Sequence, residues 1–165
     1  MGFAMMARLL AQGWSVAAHD IDPLKLTEAQ SLGATPCHSA AEVAARCKVT
    51  FIVVVDAAQV DQVMTGDRGL WQNAQTGDTV FMCPTLGPKD VIQFAQQAQA
   101  RGISLIDAPM SGGPVRAREG QMSLMLAGDL SVLHAHQTLL DAITVHRFLI
   151  SETPGDAAKT KLANN

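Results

Sequence analysis

Val49-Thr50-Phe51-Ile52-Val53-Val54-Val55 is uncharged and almost unbroken in β-branched and aromatic side chains. The run is short for a buried helix and lacks the alternating polar residues of a strand with one wet face. It therefore predicts a strand covered on both faces, inside a parallel sheet. Parallel neighbours need crossover connections, usually helices, and the flanking sequence supplies them. Ser39 to Arg46 reads as a short Ala-rich helix with Ser39 as N-cap. Further upstream, Ser15 to His19 is a short apolar strand, and Asp20-Ile21-Asp22-Pro23 turns into a helical stretch that Leu32-Gly33 ends. Gly2 to Gln12 sets Phe3, Met6, Leu9 and Leu10 on one helical stripe, closed by Gly13.

The alternation continues downstream. Helices are expected from Gln59 to Met64, near Leu70, from Gly87-Pro88 to about Arg101, and from Ser131 to Ala142. Strands are expected over Thr79–Met82, Ile103–Ile106, Met122–Ala127 and Val145–Ile150, and the tail from Asp156 regains helical character. This order implies an α/β fold, a doubly wound and mostly parallel sheet with helices on both faces. Such sheets bind ligands beyond the carboxyl ends of their strands. Attention therefore falls on Asp20, on Val55, Asp56 and Ala57, on Cys83 to Thr85, and on the segment after Ile106.

Composition narrows the function classes. With 48% apolar and 16% charged residues the chain is globular. Its net charge of −3 and lack of a Lys/Arg block argue against nucleic acid as a partner. No apolar stretch approaches the roughly 20 residues of a membrane span. Cys37, Cys47 and Cys83 have no metal or redox spacing and read as apolar filler in a reducing, cytoplasmic setting. His134 and His136 are two apart and the other histidines are scattered, so no metal site is expected.

Asp20 follows Gly2 by 18 residues with a helix between them. In a dinucleotide fold an acid at that place accepts the adenosine ribose hydroxyls and repels a 2′-phosphate, favouring NAD over NADP. Taken alone, an Asp there is more often a helix cap. Met1-Gly2 can be read as the tail of a glycine fingerprint or as ordinary terminal residues. The run Asp107-Ala108-Pro109-Met110-Ser111-Gly112-Gly113-Pro114-Val115-Arg116-Ala117-Arg118-Glu119-Gly120 can be a loop with turn chemistry. It can equally be a backbone that presents N–H groups and a hydroxyl to a carboxylate.

Asp107 to Gly120 resembles the substrate-binding signature of the β-hydroxyacid dehydrogenases, the family of 3-hydroxyisobutyrate and L-threonate dehydrogenases and, more distantly, 6-phosphogluconate dehydrogenase. Met1-Gly2, Asp20, Val53-Val54-Val55-Asp56-Ala57-Ala58-Gln59, Thr85 and Gly155 to Asn165 align with it in order. The L-threonate branch looks nearest. The resemblance implies a Rossmann-like domain over residues 1–153, lacking its first strand. Residues 154–165 would begin the helix leading to an absent all-α C-terminal domain.

It also implies roles. Met1, Gly2, Asp20, Val55, Asp56, Ala57 and Thr85 would bind NAD, with Thr85 near the nicotinamide ribose. Ser111, Gly112 and Gly113 would hold the carboxylate of a small carboxylated alcohol. Lys161 would be the catalytic lysine and Asn165 would position the hydroxyl; at a spacing of four they share a helix face. The family pattern G-x-G-x-x-x-K departs here at Ala157. The implied activity is hydride transfer between NAD and a β-hydroxyacid with lysine as proton shuttle, in a homo-oligomeric full-length protein. The competing expectation is a truncated, non-catalytic dinucleotide-binding fragment.

Overall fold

The computed structural model describes residues 1–164. The chain begins with α1 (Gly2–Ala11), β1 (Ala17–Ala18), α2 (Pro23–Ser31), β2 (Thr35–Pro36) and α3 (Ala40–Arg46). There follow β3 (Val49–Ile52), α4 (Ala57–Thr65), a 3-10 turn at Leu70–Gln72, β4 (Thr79–Met82), α5 (Pro88–Gln99) and β5 (Ser104–Asp107). The last part holds β6 (Met110–Ser111), α6 (Gly113–Glu119), β7 (Ser123–Ala127), α7 (Leu130–Ala135), α8 (Gln137–Ile143), β8 (His146–Ser151) and α9 (Asp156–Ala163). Local chemistry starts the helices. The Asp22, Ser39 and Asp56 side chains accept the N–H groups of Leu24, Glu42 and Gln59, each satisfying a donor that the first helical turn leaves open.

The fold is α/β and Rossmann-like, as the alternation predicts. Strands β3, β4 and β5 pair in parallel, with Phe51 opposite Phe81 and Phe81 opposite Ile106. Beyond them the order is β7 then β6, both in antiparallel pairings, and β8 joins β7 in parallel. Helices cover two faces. One carries Phe81, Ile106, Leu124, Leu140 and Met5; the other carries Val80, Met82, Val91, Val60 and Met64. Phe51 stacks on Phe81 with ring centroids 4.8 Å apart. Helix α9 packs on β5, β7, β8 and α5. No helix among the described residues is long and apolar enough to cross a membrane.

Several expectations need correction. The Val49–Val55 run is not a covered central strand: β3 stops at Ile52, only Ile52 is buried, and β3 ends the larger sheet. The reason lies beside it. Strands β1 and β2 form a separate parallel pair, and a cavity of about 450 Å³ lies between β1 and β3. Among the described residues β1 pairs with β2 alone, and it shrinks to two residues from the expected five. Strand β2 has little apolar signal and was not expected. The Asp107–Gly120 run is more than a loop, since it contains β6 and α6. The single helix expected from Ser131 breaks at His136, whose imidazole meets the Thr79 hydroxyl at 3.0 Å and the edge of the Phe81 ring.

Candidate active site

Asp107 ends β5 and is almost wholly buried, 1% exposed. Its Oδ2 accepts the N–H groups of Gly155 at 2.8 Å and Ala158 at 2.9 Å. Those groups open α9, whose own N-cap is Gly155 and brings no side chain. A carboxylate 48 residues away in sequence thus does the capping. Its other oxygen, Oδ1, is buried with no partner among the described residues. Burial raises the Asp107 carboxyl above its ordinary range, against the opposing pull of the Ala158, Gly155 and Ala157 N–H groups. Gly155 has φ +100°, and a Cβ there would sit 3.0 Å from Ile92 Cγ1 and 3.2 Å from the Pro88 carbonyl. Ala157, where the resemblance expects glycine, is fully buried, and its methyl is accommodated.

The capped helix carries Lys161, which is buried at 8% exposure. Its Nζ lies 3.5 Å from Ser111 Oγ, the outer limit of a hydrogen bond. Among the described residues it forms no ion pair. Ser111 is held by its pairing with Ser123 in β7, and Gly112, at φ +115°, turns the chain from β6 into α6. Ser111 and Lys161, separated by 50 residues, therefore converge. Lys159, the rival lysine, pairs instead with Asp156 at 2.8 Å on the exposed side of α9. Asn165 lies outside the described residues.

The remaining candidates sit elsewhere. Thr85 is exposed after β4. Val55 is 76% exposed after β3, and its N–H donates to Gln59 while Asp56 caps the helix that Ala57 begins. No hydrogen bond among the described residues joins Thr85, Val55, Asp56 or Ala57 to Ser111 or Lys161. Met1 caps α1 without a side-chain bond. A Cβ on Gly2 would lie 3.3 Å from Val53 Cβ, so α1 begins in close contact with the chain leaving β3. Asp20 is exposed at the end of β1, and its Oδ1 accepts the Asp22 N–H at 2.9 Å, closing a turn. Gly2 and Asp20 line the same cavity, which Ser111, Thr85 and Lys161 do not reach.

The family model for the NAD binding domain of 6-phosphogluconate dehydrogenase matches residues 1–151. The chain belongs to this family. It is 32% identical to L-threonate dehydrogenase of Cupriavidus necator, over 99% of this chain and 55% of that protein. It is also 32% identical to 2-hydroxy-3-oxopropionate reductase of Escherichia coli, over 99% of this chain and 56% of that protein. The crystal structure of 3-hydroxyisobutyrate dehydrogenase from Salmonella typhimurium superposes with a TM-score of 0.93 at 30% identity, covering 99% of this chain and 57% of that one. The chain thus spans about half the length of the relatives it matches.

The residues present fit the family's NAD(P). The first N–H groups of α1 have no acceptor within the helix and no side-chain cap, and α1 begins where Gly2 closely approaches Val53, a setting suited to a pyrophosphate. Asp20 Oδ2 is unengaged among the described residues and can accept a ribose hydroxyl. What sequence reasoning missed is the part Asp107 plays in positioning α9. Its signal was a helix start at Gly155 with no capping side chain of its own, which requires a cap from elsewhere.

Proposed function

We propose that this chain is the cofactor-binding half of an NAD-dependent β-hydroxyacid dehydrogenase, with Lys161 as proton shuttle. The observation that carries the reading is the 3.5 Å approach of Lys161 Nζ to Ser111 Oγ on a helix capped by Asp107. Bound NAD supplies the acceptor for the hydride leaving the carbinol carbon. The protein's part is to orient the substrate and move the hydroxyl proton. Ser111 and the N–H groups of Gly112 and Gly113 hold the substrate carboxylate, Lys161 Nζ takes the proton during oxidation, and the same group returns it during reduction. Asn165, one turn beyond Lys161, positions the hydroxyl. Met1 and Gly2 at the start of α1, Asp20, Val55 to Ala57 and Thr85 hold the dinucleotide, and Asp20 selects NAD by repelling a 2′-phosphate. Threonate and 3-hydroxyisobutyrate are the substrate class.

The test is Lys161→Ala in the full-length enzyme. Turnover of threonate or 3-hydroxyisobutyrate should fall by roughly 10²- to 10⁴-fold, the usual share of a general acid–base, while NADH binding is unchanged. Turnover at the unsubstituted rate contradicts the assignment.

A second reading applies to the 165-residue chain by itself: a dinucleotide-binding fragment without turnover. It is favoured by the cavity that separates β1 from β3 beside Gly2 and Asp20, which leaves the cofactor side of the sheet in two pieces. Titration of the chain with NADH should show weak binding, and tight binding contradicts this reading.

A further inference from the structure

The turn at Ser111, Gly112 and Gly113 continues directly into α6, and that helix carries Arg116. Gly112 and Arg116 are four residues apart. Side chains on a helix lean toward its N-terminus, so a residue covers the turn before its own. Arg116 does this over Gly112. A Cβ on Gly112 would lie 3.3 Å from Arg116 Cβ and 3.1 Å from its Cδ, with the Met122 backbone at 3.3 Å. The glycine therefore serves twice: it takes φ +115° and it leaves room for the arginine stem. Nε is one bond beyond Cδ, so the guanidinium begins within about 5 Å of that position.

Arg116 is exposed and its charge is uncommitted. Arg68 and Arg147 pair with Glu42 and Asp141, the Arg8 guanidinium donates to the Ala142 carbonyl, and Arg101 lies over the Trp71 ring. Arg116 forms no ion pair among the described residues, not even with Glu119 on its own helix. The carboxylate cradle beside it lacks a fixed charge. The Ser111 hydroxyl and the N–H groups of Gly112 and Gly113 are neutral donors, weaker partners for a carboxylate than an ionised one. Lys161 Nζ, 3.5 Å from Ser111 Oγ, does not fill the place, because a proton shuttle is neutral in the state that accepts the hydroxyl proton. An arginine keeps its charge in both directions of the reaction and offers parallel donors to both carboxylate oxygens.

We infer that Arg116 is a substrate-binding residue, its guanidinium pairing with the carboxylate that Ser111, Gly112 and Gly113 hold. The inference rests on the dehydrogenase reading proposed above and deepens it. Arg116 supplies the permanent charge of the cradle, which leaves Lys161 free to change its own. Arg118 has no such part: two residues on, it stands about 200° further round the helix, away from Gly112.

The test compares Arg116→Met with the unsubstituted full-length enzyme, since methionine keeps an unbranched stem over Gly112 and removes the charge. The substrate is whichever of threonate and 3-hydroxyisobutyrate the enzyme turns over faster. KM for that acid should rise roughly 10- to 100-fold, the share of one charge-assisted pair, with kcat little changed. The primary amide of the same acid gives Arg116 no charge to meet, so its kcat/KM should be equal in the two enzymes. Arg118→Met, which removes the same charge from the far side of α6, should leave KM for the acid as it was. The inference is overturned if Arg116→Met retains the original KM, if acid and amide lose kcat/KM equally, or if Arg118→Met raises KM as much. Absence of turnover of either acid by the unsubstituted enzyme is a different result: it overturns the dehydrogenase reading, and this inference with it.

Discussion

At the β5–β8 end of the molecule Asp107 bonds two N–H groups of α9, β7 is paired on both sides, and Leu124, Ile143 and Ala127 are fully buried. At the β1–β3 end two strands face each other across a cavity, Val16 and Trp14 are only half-buried, and β1 is two residues long. The first region holds the proposed substrate and proton-transfer groups, and the second holds Gly2 and Asp20 of the cofactor side. One half of the site is thus locked by long-range bonds made within the chain. The other half rests on a sheet whose edges are unmatched. Local stability should differ accordingly.

Truncation sharpens this contrast most. Leu124→Ala should destabilise the chain by about 3 kcal/mol, because it opens a cavity in close-packed core. Val16→Ala, beside space already present, should cost less than about 1 kcal/mol. Denaturant midpoints measure both, and equal losses would break the comparison. Asp107→Ala comes next, at about 2 kcal/mol, since it strands two buried helix N–H groups.

The pH dependence of the same residue has a definite sign. Its carboxyl is raised in the folded state, so between the ordinary carboxylate range and that raised value the folded chain holds a proton that the unfolded chain has released. Stability therefore falls as pH rises through that window and regains its full value below it. Asp107→Asn, which keeps an acceptor oxygen but does not titrate, should remove that slope. The smallest effect is expected at the open end. Asp20→Ala should lower the preference for NADH over NADPH by a few fold in the full-length enzyme, read by paired titrations, and an unchanged ratio would remove Asp20 from cofactor selection.

Much of this was legible in the residues. Helix boundaries at Asp22-Pro23, Ser39 and Gly87-Pro88 carry their capping chemistry in the sequence, and β4 and β5 are plain apolar runs. Two kinds of feature were not. The edge position of β3 and the splitting of the sheet depend on which strands find partners, and a period or propensity cannot report that. The capping of α9 by Asp107 joins residues 48 apart, beyond any local pattern. The Ser111–Lys161 approach was expected only through resemblance; spacing alone placed each on its own element and left their meeting open.

The central claim is that Lys161 carries the proton of the substrate hydroxyl. It is tested most directly by adding small primary amines to full-length Lys161→Ala. Methylamine and ethylamine should restore part of the lost turnover, to an extent that follows amine basicity and with NADH affinity constant. Turnover that stays flat at every amine concentration, in a variant that still binds NADH, would contradict the account.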